Sequence, residues 1–403
     1  MVTPAGSKPL DGVTVVDLTR FVSGAYATML LSALGADVIK VELLPGGDPY
    51  RTQGTAFVED TSLLFAGLNT GKRSLAVDVR SPEGRAVLEQ LLASSDVLVQ
   101  NARPGSLVTL ELDEESVRAR HPRLIYASLS GYGQTGPDAG LGGFDLILQA
   151  GSGLMSVTGD PSAGPVKIGA PLLDIGSGIC CVLAVLAGLI GRAASGSGAH
   201  VTASLLEFAL AGFTSTAAST LATGEVPGLL GSHSPTFAPY GSFRTGTGSI
   251  VLAGAGSEPL WQKLCAALEA PELSADPRFA DNASRVTHRD VLTALIEEVL
   301  AAGTAEFWVA RLSAAGVPCS VVRSVPEALR SPQAVALGSL RPQVSDGVSY
   351  LAMAPPFTVG GALEYPRGAP ALGEHTAEVL AQLGVSPDRI ADLLAAGTVQ
   401  VAS

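Results

Sequence analysis

Val13-Thr-Val-Val-Asp17, a small and apolar run from Gly24 to Leu34 closed by Gly35, and Val38-Ile-Lys-Val-Glu42 follow one another near the start of the chain. The outer two are short and β-branched, the composition of strands buried on both faces of a parallel sheet. The middle run has the length of a helix. Together they predict β-α-β, the unit of a doubly wound sheet. The rhythm continues. Ser74 to Val79 reads as a strand, and Ser81-Pro-Glu-Gly84 opens a helix with Ser as N-cap and Pro at the first helical position. Asp96-Val-Leu-Val-Gln100 is a strand followed by Asn101-Ala-Arg-Pro-Gly105. Leu124 to Leu129 is another, running into Ser130-Gly-Tyr-Gly-Gln-Thr-Gly-Pro137. Long helices are expected over 175–195 and 203–222. The expected fold class is α/β, a doubly wound parallel sheet.

Past Gly224 the character changes. Ser242 to Leu252 reads as a β-hairpin around Thr245-Gly-Thr-Gly248. Amphipathic helices are expected near 258–269, 287–301 and 305–315, and Cys319-Ser-Val-Val322 as a strand returning to the first domain. A chain of 403 residues exceeds the size at which one core keeps growing. The predicted organisation is a large domain beginning at 1–225, a smaller α+β domain at 226–325, and a segment at 326–403 that rejoins the large domain.

Composition narrows the function. Hydrophobic residues make up 47% and charged residues 15%, with a mean hydropathy of +0.36, so a large buried fraction is expected. The net charge of −12 argues against a nucleic-acid partner, which requires a broad basic surface. A small anionic ligand needs only a local basic pocket. Cys180, Cys181, Cys265 and Cys319 form no CxxC pair and no metal-ligand spacing with the five histidines. No metal is expected, and a reduced cytoplasmic setting fits. The N-terminal residues show no signal-peptide core. The unbroken apolar stretch Ile179 to Ile190 falls short of the roughly 20 residues a membrane span needs. It is read as a helix of a soluble core or of a dimer interface, with no membrane partner.

The first β-α turn, Thr19-Arg-Phe-Val-Ser-Gly24, lacks GxGxxG, so no nicotinamide or flavin cofactor is expected. GxxxxGK[ST], GxSxG and HExxH are absent as well. What remains is a set of strand-end cations and one carboxylate in apolar surroundings. Lys72, Arg80 and Arg103 flank predicted strands. Charge alone reads Arg80 and Arg103 first as solvated charges capping neighbouring helices, and second as phosphate contacts at the carboxyl ends of the strands. Asp174, between Pro171-Leu-Leu173 and Ile175-Gly-Ser-Gly178, fits an ordinary helix cap. It also fits a nucleophile that is ionised, accessible and weakly solvated. His233 and His375 are read as structural.

In order, Pro9-Leu-Asp-Gly12, Leu34-Gly-Ala-Asp-Val-Ile-Lys-Val-Glu42, Gly71-Lys-Arg-Ser74, Ser81-Pro-Glu-Gly84, Asn101 to Gly105, Gly131-Tyr-Gly-Gln-Thr-Gly-Pro137 and Leu372-Gly-Glu-His-Thr376 span most of the chain. This set resembles the class III CoA-transferase family, which includes formyl-CoA and carnitine CoA-transferases and α-methylacyl-CoA racemase. The resemblance implies a Rossmann-like large domain, a small domain and an interlocked homodimer. It implies that acyl-CoA and a small carboxylic acid are the substrates. Carried over by position, coenzyme A contacts fall on Val77, Asp78, Val79 and Arg80, on Asn101, Ala102 and Arg103, and on Gly143, Phe144 and Asp145. Asp174 falls where the family places its catalytic aspartate, which forms a mixed anhydride and then an aspartyl-CoA thioester. Gly254-Ala-Gly256 is the candidate for a loop over the site, or a plain turn.

The racemase branch pairs an Asp with a His, and here Phe144 stands in that His position. Phenylalanine exchanges no proton, so the resemblance is to the transferases. Val22 replaces the Gln that formyl-CoA transferases carry in the first β-α turn, which disfavours oxalate or formate. Gly198-Ala-His-Val-Thr202 departs from a family pattern nearer Gly-Gln-x-Val-Asp, with no functional account for Ala199 and Thr202. The alternatives are an acyl-CoA racemase or isomerase, and a CoA-binding protein without turnover in which Asp174 is only a cap.

Overall fold

The computed structural model describes residues 8–254, 256–345 and 347–402. The chain divides into two units. The first takes the described residues of Met1–Ser152, Gly169–Thr214 and Pro332–Ser403; the second takes Gly153–Ile168 and Ser215–Ser331.

The first unit is built on β1 (Thr14–Asp17), α1 (Ser23–Ala33), β2 (Asp37–Leu43), β3 (Arg73–Val77), α2 (Pro82–Ala93), β4 (Val97–Gln100) and β5 (Ile125–Ser130). It continues through α3 (Asp145–Gly151), α4 (Leu172–Ser195), β6 (His200–Ser204), α5 (Leu205–Gly212), α6 (Thr376–Gln382) and β7 (Val399–Gln400). The seven strands form one sheet in the order β6-β5-β4-β1-β2-β3-β7. All neighbours are parallel except β7, which closes the β3 edge antiparallel through Val399↔Val77. Two successive β-α-β sets run outward from β1 and β4, which is the dinucleotide-fold strand order. The protein is thus a mixed α/β molecule with a mainly parallel central sheet. One face packs Val16, Ile39, Leu75, Leu98 and Tyr126 against Val87, Leu88, Leu91 and Leu92 of α2.

Local chemistry explains several boundaries. Ser81 caps α2, its hydroxyl accepting the Gly84 N–H at 3.0 Å. The helix expected over 203–222 is divided. Residues 200–204 pair with β5, α5 stops at Gly212, and a separate helix Thr214–Thr223 starts at a left-handed Thr214 with φ of 35°.

α4 is long and apolar enough to cross a membrane, with a mean hydropathy of 2.2. One side is nonetheless pressed into the unit. A Cβ on Gly176 would stand 2.1 Å from the Phe208 ring, and one on Gly178 would stand 2.7 Å from the Ser23 carbonyl. The other side leaves Ile179, Leu183 and Ile190 exposed. Cys181 is buried, and burial pushes its thiol up to about 12, so it is chemically inert at neutral pH.

The second unit contains a three-stranded antiparallel sheet, Gly241–Arg244, Ser249–Leu252 and Cys319–Val321. Its core joins Phe243, Ile250 and Leu252 to Trp261, Phe279 and Trp308 on surrounding helices. Here the sequence expectation is corrected. Cys319–Val321 does not rejoin the first unit but pairs with Ser249–Leu252, Leu252 opposite Cys319 and Ile250 opposite Val321. Its short β-branched run cannot tell one sheet edge from another. His233 lies edge-on to Phe243 at 5.8 Å, and buried His375 is held by the Ser74 N–H and Arg367. Ala255 of the Gly254–Gly256 segment, like the N-terminal residues before Lys8, lies outside the described residues.

Candidate active site

In an open parallel sheet, ligands bind beyond the carboxyl ends of the strands where the order reverses. Here that point lies between β1 and β4. The turn Thr19–Ser23 leaves β1 and the segment Asn101–Pro104 leaves β4. Asn101 ties them together: its Oδ1 accepts the Arg20 N–H at 2.9 Å and its Nδ2 donates to the Arg20 carbonyl at 2.7 Å. Phe21 is held at a φ of 65°, a region costly for a bulky side chain, and its ring meets Tyr50 edge-on at 5.4 Å.

Beneath this turn lies a fully buried ionic cluster. Asp17 accepts from Thr19 N and Oγ1, from Thr28 Oγ1 and from Lys72 Nζ at 2.6–2.9 Å. Lys40 Nζ donates to the Thr19 carbonyl at 2.9 Å and pairs with Asp48 at 2.9 Å. Burial works against the Asp17 charge, yet Lys72, Lys40 and the Thr19 hydroxyl hold its carboxyl below the usual range. Lys72 therefore supports the turn from inside.

The opposite wall comes from the glycine-rich segment after β5. Gly131 and Gly143 approach backbone to backbone, so that a Cβ on Gly131 would stand 2.5 Å from the Gly143 Cα. That approach needs glycine at both positions. It seats Gly142–Phe144 at the end of β5, with Phe144 63% exposed.

Asp174 is the third residue of α4, whose N-cap is Pro171 with no side-chain cap. Asp174 is therefore not the cap. The capping acceptor is Asp145 at the start of α3, whose Oδ2 accepts the N–H groups of Leu173 at 2.8 Å and Asp174 at 3.3 Å. Burial, then the Asp145 carboxylate, push the Asp174 carboxyl from 3.8 up to about 7, opposed by a hydrogen bond from the Ser23 hydroxyl. Near neutral pH it is part ionised, weakly solvated and open to the cavity, which suits a carboxylate nucleophile.

That cavity measures about 350 Å³ and brings together Asp174, Arg20, Val22, Tyr50, Arg103 and Phe144. Asn101, Ala102 and Gly143 also line it. A narrower cavity of about 80 Å³ adjoins through Arg20, Asn101 and Ala102 and adds Val79, Glu42 and Leu107. Of the residues expected from sequence to contact coenzyme A, these two cavities gather Val79, Asn101, Ala102, Arg103, Gly143 and Phe144. Val77, Asp78, Arg80 and Asp145 line neither. Val77 is a fully buried strand residue, Asp78 accepts the Arg80 N–H, and Asp145 is engaged by α4. Arg20, Ser23 and Tyr50 were not singled out from sequence. Arg20 and Ser23 sit in a strand-end turn that the same rule covers, whereas nothing local marks Tyr50. Among the described residues, no three His, Cys, Asp or Glu side chains converge as metal ligands.

The sequence and the fold match those of known proteins. The profile of CoA-transferase family III matches residues 10–376. A succinate–glutarate CoA-transferase of Agrobacterium fabrum is 35% identical over 388 residues, covering 94% of this chain and 97% of that protein. An acetyl-CoA:oxalate CoA-transferase of Acetobacter aceti is 37% identical over 340 residues, covering 84% and 87%. The crystal structure of a CaiB/BaiF family protein from Brucella suis superposes with a TM-score of 0.85 at 36% identity, covering 94% of this chain and all of that one.

Proposed function

The chain belongs to CoA-transferase family III, and on that premise we propose that it moves coenzyme A from an acyl-CoA to a small dicarboxylic acid, with Asp174 as covalent catalyst. The observation that carries this reading is a desolvated carboxylate opening into the cavity at the switch point of the sheet, with Arg20 and Arg103 on the same walls.

In the first step an Asp174 oxygen attacks the donor thioester carbonyl. The C–S bond breaks, coenzyme A leaves as thiolate, and a mixed anhydride remains. The thiolate then attacks the aspartyl carbonyl carbon and expels the donor acid, leaving an aspartyl-CoA thioester. The acceptor carboxylate attacks that thioester, and the released thiolate takes the acceptor's acyl carbon from the second anhydride, restoring the Asp174 carboxylate. No proton need be relayed, so a site without a histidine suffices. Each half divides one difficult exchange into successive acyl transfers.

Coenzyme A would run from the narrow cavity, along Val79, Asn101 and Ala102, to place its sulfur beside Asp174. Arg103, Gly143 and Phe144 would flank the thioester end, whereas Val77, Asp78, Arg80 and Asp145, which line neither cavity, would act at most from behind these walls. Arg20 and Arg103 would offset the charge of a dicarboxylate, a class also named in the activity of the Agrobacterium fabrum relative with succinate and glutarate. The exposed Ile179, Leu183 and Ile190 stripe fits burial in a homodimer, and a cytoplasmic enzyme fits the free thiols. The test is a transfer assay with succinyl-CoA as donor and a panel of mono- and dicarboxylic acids. New thioesters should form with dicarboxylates; transfer to none of the acids, with any common acyl-CoA donor, would sink the proposal.

A further inference from the structure

Asp145 accepts two N–H groups at the head of α4, one of them the N–H of Asp174 itself, and its charge acts on the Asp174 carboxylate. From this geometry we infer that Asp145 is a positioning residue for the transfer reaction: it orients Asp174 and denies its carboxylate the stabilisation of the helix N-terminus. The inference rests on the reading of Asp174 as nucleophile.

An acidic side chain in the first turn of a helix is normally stabilised by the unpaired N–H groups there. In α4 the Leu173 and Asp174 N–H groups are already taken by Asp145 Oδ2 at 2.8 and 3.3 Å. Asp145 Oδ1 is held in turn by Gln149 Nε2, one turn along α3, which fixes the direction of the cap. The positive end of α4 is thus neutralised by one carboxylate, leaving the second poorly compensated in a part-buried site. The Ser23 hydroxyl on α1 compensates the Asp174 charge in part. A carboxylate so placed is more basic, and acylation relieves its repulsion with Asp145, because both the anhydride and the thioester are uncharged at Asp174.

Other titratable groups surround the start of α4. Tyr26 projects from α1 beside Gly178, and Glu207 from α5 is bonded to Ser204. Tyr50, Arg20 and Arg103 line the cavity. His200 on β6 is engaged by Ser128. Burial and the Asp145 charge nevertheless raise the Asp174 carboxyl, and the Ser23 hydrogen bond opposes them without offsetting them.

The test compares pH profiles of kcat/KM for CoA transfer in the native enzyme with those of Asp145→Asn, Asp145→Ser and Asp145→Glu. Asn and Ser keep an acceptor for the α4 N–H groups but remove the charge. In both, the acid limb should move down by about one pH unit, so that relative activity at about pH 5.5 rises while the plateau falls. Glu keeps the charge and should leave the limb in place. Acid limbs unchanged in whichever neutral variant folds, with transfer still measurable, overturn the inference. Failure of both to fold while Glu folds and shifts the limb overturns it as well. Native enzyme that transfers no CoA instead refutes the proposed function itself.

Discussion

Replacing Asp174 by Asn removes a carboxyl whose ionised form the fold disfavours, so the stability difference between native protein and variant must depend on pH. The folded-state carboxyl sits at about 7 against 3.8 for the free side chain. A raised carboxyl binds protons more tightly folded than unfolded. Below the lower value both states are neutral and nothing is lost. Between the two the folded state pays progressively as pH rises, and above about 7 the loss is complete. Fully expressed, such a displacement corresponds to about 4 kcal/mol; partial solvent access reduces it to about 2–4 kcal/mol. Asn carries no charge at any pH. The variant's melting temperature should therefore rise relative to the native protein by about 2–4 °C between about pH 4.5 and pH 8.5. Thermal unfolding of both proteins across that range, followed by circular dichroism, cancels every other titrating group. A gap that stays flat, or closes as pH rises, would refute a strained Asp174 carboxylate.

Two further outcomes follow from the walls of the site. Lys72→Met leaves Asp17 buried without its principal cation, and urea unfolding should show a loss of about 3–5 kcal/mol. Adding Asp17→Asn to it should restore more than half of that. In Gly143→Ala the new Cβ would stand 2.4 Å from the Gly131 Cα, so the Phe144 segment must move. Stability should fall by about 1–3 kcal/mol, whereas kcat should fall by about 10²-fold if the thioester is displaced by about an ångström; a variant with native kcat would show that this wall does not position substrate.

The sheet was legible because its signal is local. The runs at 13–17, 38–42, 96–100 and 124–129 are short, β-branched and bounded by turns, and each coincides with a strand of the central sheet. Which edge Cys319–Val321 joins was not legible, since pairing partners are chosen by tertiary packing rather than by the three residues themselves. The site divides the same way. Residue chemistry left Asp174 open between cap and nucleophile, because both need an acid at the start of an apolar helix. Only the position of Asp145, 29 residues earlier in the chain, shows that another acid does the capping. Arg80, attractive from sequence as a strand-end cation, lies outside both cavities, whereas Arg20 lies in both. Strand-end position names a neighbourhood, and the direction of the side chain is settled by the turn that follows.

The most direct measurement of the central claim is to trap the covalent enzyme. The protein is incubated with succinyl-CoA without acceptor and quenched with hydroxylamine, and its peptides are weighed by mass spectrometry. A hydroxamate on the peptide carrying Asp174, absent when Asp174→Ala is treated identically and inactive, is the predicted result. Native-rate transfer by Asp174→Ala, with no modification at residue 174 of the native enzyme, would contradict it.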